Sequence, residues 1–270
     1  MSVSAVAMIL ARGLGSRMRR EDAGAALDAE QTRAAHAGSK AMMPVGRPLL
    51  EHSLTALADA GIGEVVLVIG PEHIAVREHF AAHPPKRLHI RFAEQAQPLG
   101  TADAVLAAQD AVGDRDFLVL NGDTWYPPEA LRAVAAAQAP AFGAFDAEAL
   151  TRLGNIPGER VLAFALCAID TSGALREIVE KPAADHPLAR TPERCVSMNL
   201  WHLDAGAFDA LARVKPSVRG ELELVDGIRL LLAAGARVTA VPLGLGLLDL
   251  SMRGDVASVT ARLASHAVAY

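Results

Sequence analysis

The chain contains only two cysteines in 270 residues, Cys167 and Cys195, and they fall in no CxxC or Cys/His pattern. A disulfide framework is therefore not expected, and the usage suits a reducing cytoplasm. Positive charge is not in excess: 26 Lys+Arg stand against 31 Asp+Glu, a formal net charge of −5, with no basic tail. That excludes the footprint of a nucleic-acid binder and offers nothing to an anionic membrane. Long apolar runs are missing as well. Val3 to Leu10 falls short of the ~20 residues a bilayer crossing needs, and it lacks the basic flank of a secretory signal. The expectation is a soluble cytoplasmic protein.

Several catalytic templates are missing too. No GxSxG elbow is present, and no GxxxxGK[ST] loop, so serine hydrolysis and γ-phosphoryl transfer have no support. Met18 takes the place of the third glycine of GxGxxG, which removes the dinucleotide fingerprint. Of nine histidines, only His79 and His83 have helical i, i+4 spacing. Pro84 and Pro85 follow at once, so the pair reads as surface rather than metal ligands.

What is present begins with Val6 to Leu10, a short continuous apolar run that reads as a buried parallel strand. It leads into Ala11-Arg12-Gly13-Leu14-Gly15-Ser16-Arg17. Gly13 and Gly15 allow a sharp turn whose main-chain N–H groups can form an anion nest, and Arg17 adds a permanent forked charge suited to phosphate. Glu64 to Gly70 reads as a second buried strand, and Leu88 to Ala93 and Phe117 to Leu120 as a third and a fourth strand. They alternate with helical patterns over Leu49 to Ala58, Glu72 to Ala81, and Ala102 to Ala111, the last capped by Thr101. Gly24 to Gly38 reads as an alanine-rich insertion, either a short helix or a flap.

Later, Val161 to Asp170 and Ala174 to Glu180 suggest a hairpin, and Cys195 to Leu203 a strand. Edge strands near Val238 and Leu247 and a helix from Asp255 to Ser265 complete the pattern. Half the residues are apolar, enough for a substantial core. No repeat or linker divides the chain, so residues 1–270 read as one domain. The fold class is three-layer Rossmann-like α/β: a mixed, mostly parallel sheet with helices on both faces.

Ligands in such sheets bind beyond the carboxyl ends of the strands. Three segments end strands here: Gly13 to Arg17, Gln95 to Thr101, and Asn121-Gly122-Asp123. A strand-end carboxylate such as Asp123 either caps its turn or holds Mg2+ against phosphate oxygens.

These segments resemble the sugar-1-phosphate nucleotidylyltransferases, also called NDP-sugar pyrophosphorylases. The family opens with Leu-Ala-Ala-Gly-x-Gly-Thr-Arg and continues with Pro-Lys-x-x-x-Pro-Val; here these stand as Leu10 to Arg17 and Ser39 to Val45. Arg12, Ser16 and Ser39 replace the family's alanine, threonine and proline, and the spacer before Lys40 is longer. The resemblance implies nucleotide binding by Leu10, Ala11, Gly13, Gly15, Ser16, Gln95, Gly100, Thr101 and Gly122, with Gln95 at the base edge. It implies catalytic roles for Arg17, Lys40 and Lys181, and sugar-phosphate contacts from Glu180, Lys181 and Asn199. For Mg2+ it implies Asp123 together with Asp226, the latter from Arg219-Gly220-Glu221-Leu222-Glu223-Leu224-Val225-Asp226. Asp249 corresponds to an Asp in a Leu-Asp-Thr-Gly pattern that Ser251-Met252 does not keep. Phe164-Ala165, with Asn155 to Gly158 inserted nearby, departs from the family's aromatic-glycine at the sugar.

The expected reaction joins a nucleoside triphosphate, UTP or dTTP favoured, to a sugar-1-phosphate and releases pyrophosphate. No general base is required, because a phosphate monoester with a second pKa of ~6 is already a nucleophile at neutral pH. Two alternatives stay open: a non-catalytic regulatory relative that binds nucleotide sugars, and a cytidylyl- or guanylyltransferase with another acceptor. No β-helix domain follows Tyr270, so a bifunctional acetyltransferase is not expected. Oligomeric state is left open, a homo-oligomer included.

Overall fold

The computed structural model describes residues 6–13, 15–22 and 24–270; Leu14, inside the glycine turn, lies outside the described residues. Four strands form one continuous parallel row of the sheet. Val6–Leu10 pairs in parallel with Glu64–Ile69 on one side and Phe117–Asn121 on the other, and His89–Glu94 extends the row beyond Glu64–Ile69.

Both faces of the first three are buried, which is why their sequences are continuously apolar; His89–Glu94, at the sheet edge, is largely exposed. Ala7, Ile9, Val65, Leu67, Leu118 and Leu120 enter one core. Val6, Met8, Val66, Val68, Phe117 and Val119 enter the other. The period-2 alternation of the strand thus feeds two helical layers, as the fold expectation requires.

The strand Cys195–Leu203 turns the sheet from parallel to antiparallel. It pairs antiparallel with Phe117–Asn121, Ala141–Asp146 and Ala165–Ile169. The hairpin of Ala165–Ile169 with Leu175–Glu180 closes one edge, and Thr239–Leu243 lies parallel to Ala141–Asp146. A two-stranded pair, Leu248–Asp249 with Thr124–Trp125, stands outside the main sheet.

The insertion forms a helix, Ala29–Ala37, opened by a capping box between Asp28 and Gln31. Its Ala35, with Met18, Met43, Val45 and Leu49, joins a third core against Val256, Val259 and Leu263 of the helix Asp255–Leu263. The insertion is a packed element rather than a flap.

The expected helix after Gly100 is shorter than its pattern, Thr101–Leu106, with a separate turn Gln109–Val112. Thr101 does not cap it. Its hydroxyl instead accepts the amide of Leu224 at 2.8 Å, satisfying a free N–H of the helix Leu224–Ala233, whose N-cap Glu223 offers no side-chain cap. That bond crosses most of the sequence and is invisible to a local pattern.

Among the described residues, no helix is long and apolar enough to cross a membrane.

Candidate functional site

The parallel strands Val6–Leu10, His89–Glu94 and Phe117–Asn121 end at one rim, where the loops enclose a cleft of about 360 Å3. Of the residues expected from sequence, Leu10, Ala11, Gly13, Gly15, Ser16, Arg17, Lys40, Gln95, Gly100, Thr101, Gly122, Asp123 and Asn199 all line it. Arg12, His73 and Glu221 line it too, and sequence reasoning had given them no role.

The long spacer does not displace Lys40. The helix Ala29–Ala37 ends at Gly38, whose carbonyl packs directly under Gly15. Gly15 has φ 58, and a Cβ there would collide with Gly38, so only glycine serves. Ser39 and Lys40 therefore return beside the glycine turn. The Lys40 ammonium meets Asp123 Oδ2 at 2.9 Å. Burial alone would depress that lysine, but Asp123's charge and hydrogen bond, with Asp249 beyond, hold it above its ordinary value. It stays a cation.

Beside Asp123 the structure sets a second carboxylate, Asp249. The amide of Leu250 donates to the Asp123 carbonyl at 2.8 Å, and Asp249 pairs in register with Thr124. Burial first, then the charge of Asp123, push the Asp249 carboxyl up to about 7.

Asn155 of the inserted segment and Arg160 just after it hold this residue in place. Asn155 brackets its backbone, donating to the Asp249 carbonyl and accepting from its amide, both at 2.8 Å. Arg160 bridges Asp249 Oδ2 at 2.9 Å and Asp255 Oδ1 at 2.6 Å. Sequence reasoning assigned this insertion to the sugar pocket; its visible work is to fix an acidic residue. The only sequence signal for Asp249 was its Leu-Asp pattern.

Asp226, expected as the second metal ligand, does not line the cleft. It lies in the first turn of Leu224–Ala233 and closes on Arg229 at 2.6 Å. The acidic run before it approaches the cleft through Glu221 instead. Gly100, at φ 126, lets the Leu222 backbone press against the base loop. The amide of Ala102 donates to the Leu222 carbonyl at 2.9 Å, and the amide of Leu222 to the Leu99 carbonyl at 2.7 Å.

Gln95 is almost fully buried, and its amide orientation is fixed by chemistry. Its nitrogen faces the Gly100 carbonyl at 3.0 Å and the Asp103 carboxylate at 2.8 Å, both pure acceptors. No donor reaches its Oε1 among the described residues. Arg12 ties this loop down: its guanidinium donates to the Gln95 carbonyl and forms a two-pronged pair with Glu72 at 3.0 and 3.1 Å.

Glu180 and Lys181 also lie outside the cleft lining and pair with each other at 3.3 Å. Register relates them to the cleft: Glu180 opposes Ala165, and Ala165 opposes Ser197. Two strand spacings, about 10 Å, therefore separate Glu180 from the row that leads to Asn199. Among the described residues, Lys181 (φ 46) and Asn199 (φ 56) are the non-glycine residues in the left-handed region. Such strain persists where the surroundings over-determine it, often at ligand clamps. Both are residues expected at a sugar phosphate.

Chemically, the cleft offers a glycine turn, the cations Arg17 and Lys40, and Asp123, with Asp249 buried beside Asp123 but off the lining. Asp123 and Asp249 supply hard oxygen donors that repel one another, and this suits a small divalent cation such as Mg2+. No group of three or more His, Cys, Asp or Glu is gathered among the described residues, so any such ion would take further oxygens from substrate phosphates or water.

The model of the nucleotidyl transferase family matches residues 34–245. The chain is 30% identical over 84% of its length to the low-salt glycan biosynthesis nucleotidyltransferase Agl11 of Haloferax volcanii, spanning 57% of that protein. It is 28% identical to a glucose-1-phosphate thymidylyltransferase of Streptomyces griseus, covering 86% of this chain and 58% of the relative. A UTP–glucose-1-phosphate uridylyltransferase, AglF of Haloferax volcanii, is 26% identical with 92% of both chains covered. The first two are matched over little more than half their length. A solved UDP-glucose pyrophosphorylase complexed with UDP-glucose superposes with a TM-score of 0.75 at 16% identity, covering 99% of this chain and 100% of that one; this is a likeness of fold.

Proposed function

Since the chain belongs to the nucleotidyl transferase family, we propose that it joins a nucleoside triphosphate, UTP or dTTP, to a sugar-1-phosphate, giving an NDP-sugar and pyrophosphate. The observation that carries the reading is the meeting of the glycine turn, Arg17, Lys40 and Asp123 in one cleft, with the buried Asp249 carboxyl close enough to Asp123 to feel its charge.

The triphosphate lies along the turn, its oxygens taken by main-chain N–H groups and by Arg17. Lys40 sits where charge builds on the α-phosphate and the leaving pyrophosphate. A cation already fixed by Asp123 stabilises that charge without reorganising. Gln95 presents Oε1 to the base, which favours a ring N–H donor. Uracil and thymine supply one at N3; cytosine and adenine carry an acceptor at the corresponding position.

Lys181 and Asn199 orient the acceptor so that its phosphate oxygen attacks in line, and pyrophosphate departs opposite. Asp123 and Asp249, rather than Asp226, would hold Mg2+. When bound, that ion neutralises charge on the reacting phosphates.

The test is pyrophosphate release from a panel of UTP, dTTP, GTP, CTP and ATP with Mg2+ and a set of hexose-1-phosphates. Release with UTP or dTTP is expected. Tight nucleotide-sugar binding without any release would identify a regulatory relative and overturn the proposal. Release confined to CTP or GTP would overturn the base assignment.

A further inference from the structure

The two cysteines of this chain are opposite each other. Cys195, first residue of the strand Cys195–Leu203, pairs in antiparallel register with Cys167 of Ala165–Ile169, and both are free thiols. Opposed residues of an antiparallel ladder point to the same face, with Cα atoms about 4.5 or 5.5 Å apart. Both spacings fall inside the roughly 4.4–6.8 Å range that a disulfide accepts. The spacing of the two strands is compatible with a bond between them.

The surroundings differ for the two sulfurs. Cys167 is 6% exposed, and burial first, then the adjoining Cys195 sulfur, keep its thiol protonated well above the usual range. Cys195 is half-buried and opens on a cavity of about 530 Å3. Leu166, Ile169, Leu188 and Arg194 share its wall. Cys167 lines the same cavity, so a small oxidant that enters meets the more exposed Cys195 thiol with Cys167 directly opposite. This cavity lies apart from the nucleotide cleft; the two share no lining residue.

We propose that Cys167 and Cys195 form an oxidisable dithiol site, which a hydroperoxide converts to an intramolecular cross-strand disulfide. The Cys195 thiolate attacks a peroxide oxygen; an S–O bond forms, the O–O bond breaks, and the departing oxygen leaves as an alcohol or water. The Cys167 sulfur then attacks the Cys195 sulfenic sulfur. The S–S bond forms, the S–O bond breaks, and hydroxide leaves as water with the Cys167 proton. Two thiols and one hydroperoxide give one disulfide, one alcohol and one water, a two-electron oxidation that an external dithiol reverses. The bond staples the hairpin that ends at Lys181 to the strand that carries Asn199.

The experiment treats the native chain with hydrogen peroxide, quenches it in acid and measures intact mass, free thiols and the melting temperature. Expected is the loss of two hydrogens and both thiols in a monomer, restored by dithiothreitol. The oxidised form should melt higher by on the order of 5–10 °C, since the cross-link removes freedom from the unfolded chain. In Cys167→Ser, the same treatment should instead leave Cys195 as a sulfenic acid that dimedone traps. The proposal is overturned if the native chain gains oxygen rather than losing hydrogen, or keeps both thiols. It is equally overturned if the chain cross-links between molecules, or if its oxidised form melts no higher than the reduced one.

Discussion

Arg160→Met removes the cation that bridges two buried carboxylates. The Arg160 side chain is 12% exposed, and those of Asp249 and Asp255 are 4% and 8% exposed, so solvent replaces little of what is lost. Breaking a buried pair by deleting one partner costs about 3–5 kcal/mol, because an uncompensated charge stays behind. Two features of the site place the expected loss at the lower end. Asp255 retains the amides of Ser251 and Met252, each at 2.9 Å. Asp249, already pushed up to about 7, can take up a proton at neutral pH rather than remain charged. A destabilisation of about 3 kcal/mol follows, roughly 6–12 °C in melting temperature for a domain of this size. Urea unfolding followed by tryptophan fluorescence measures it, Trp201 being fully buried. Arg160→Lys, which keeps one charge but cannot bridge both acids, should fall between. A loss below about 1 kcal/mol for Arg160→Met would refute the claim that Arg160 clamps Asp249 electrostatically.

Lys40→Ala and Asp123→Asn should each lower kcat by about 10²–10³ while circular dichroism stays native, the usual cost of removing one preorganised charge; near-normal turnover in both would remove the site from the reaction. Thr101→Val should cost about 1 kcal/mol in denaturant unfolding, as the Leu224 amide loses its acceptor, and Thr101→Ser should restore most of it. Glu51 is fully buried and bonded by Arg47 at 2.6 and 3.0 Å and by His79 at 2.7 Å. Burial would raise its carboxyl, but these partners together hold it below the ordinary 4.5. A depressed carboxyl contributes stability above its unfolded pKa and loses it on acidification. Wild type should therefore melt above Glu51→Gln at pH 7, and the gap should shrink as pH falls below 4.5; a constant gap would contradict the assignment.

The elements with local signatures were legible in the chain itself. Continuous apolar runs at Val6 to Leu10 and Phe117 to Leu120 identify buried strands because a parallel strand is covered on both faces. The glycine turn and the strand-end Asp123 identify one rim of the sheet. The dihedral constraint at Gly15 needs no knowledge of distant residues to be suspected. Lys40 was legible as a residue but not as a contact, since only the packed helix Ala29–Ala37 shows that the insertion folds back.

Three features belonged to the tertiary structure alone. The family resemblance of the run Arg219 to Asp226 paired Asp226 with Asp123; the structure leaves Asp226 off the cleft lining and sets Asp249 beside Asp123 through the strand pair Leu248–Asp249 with Thr124–Trp125. Thr101 caps a helix that begins far along the chain, and Cys195 comes to face Cys167 only because two strands pair in one register. Local sequence determined which segments become strands, turns and helices, since backbone periodicity and glycine sterics act over a few residues. Which side chains share a site was decided by strand order and register. Those follow from the burial of whole faces, a sum over the entire chain that no single motif contains.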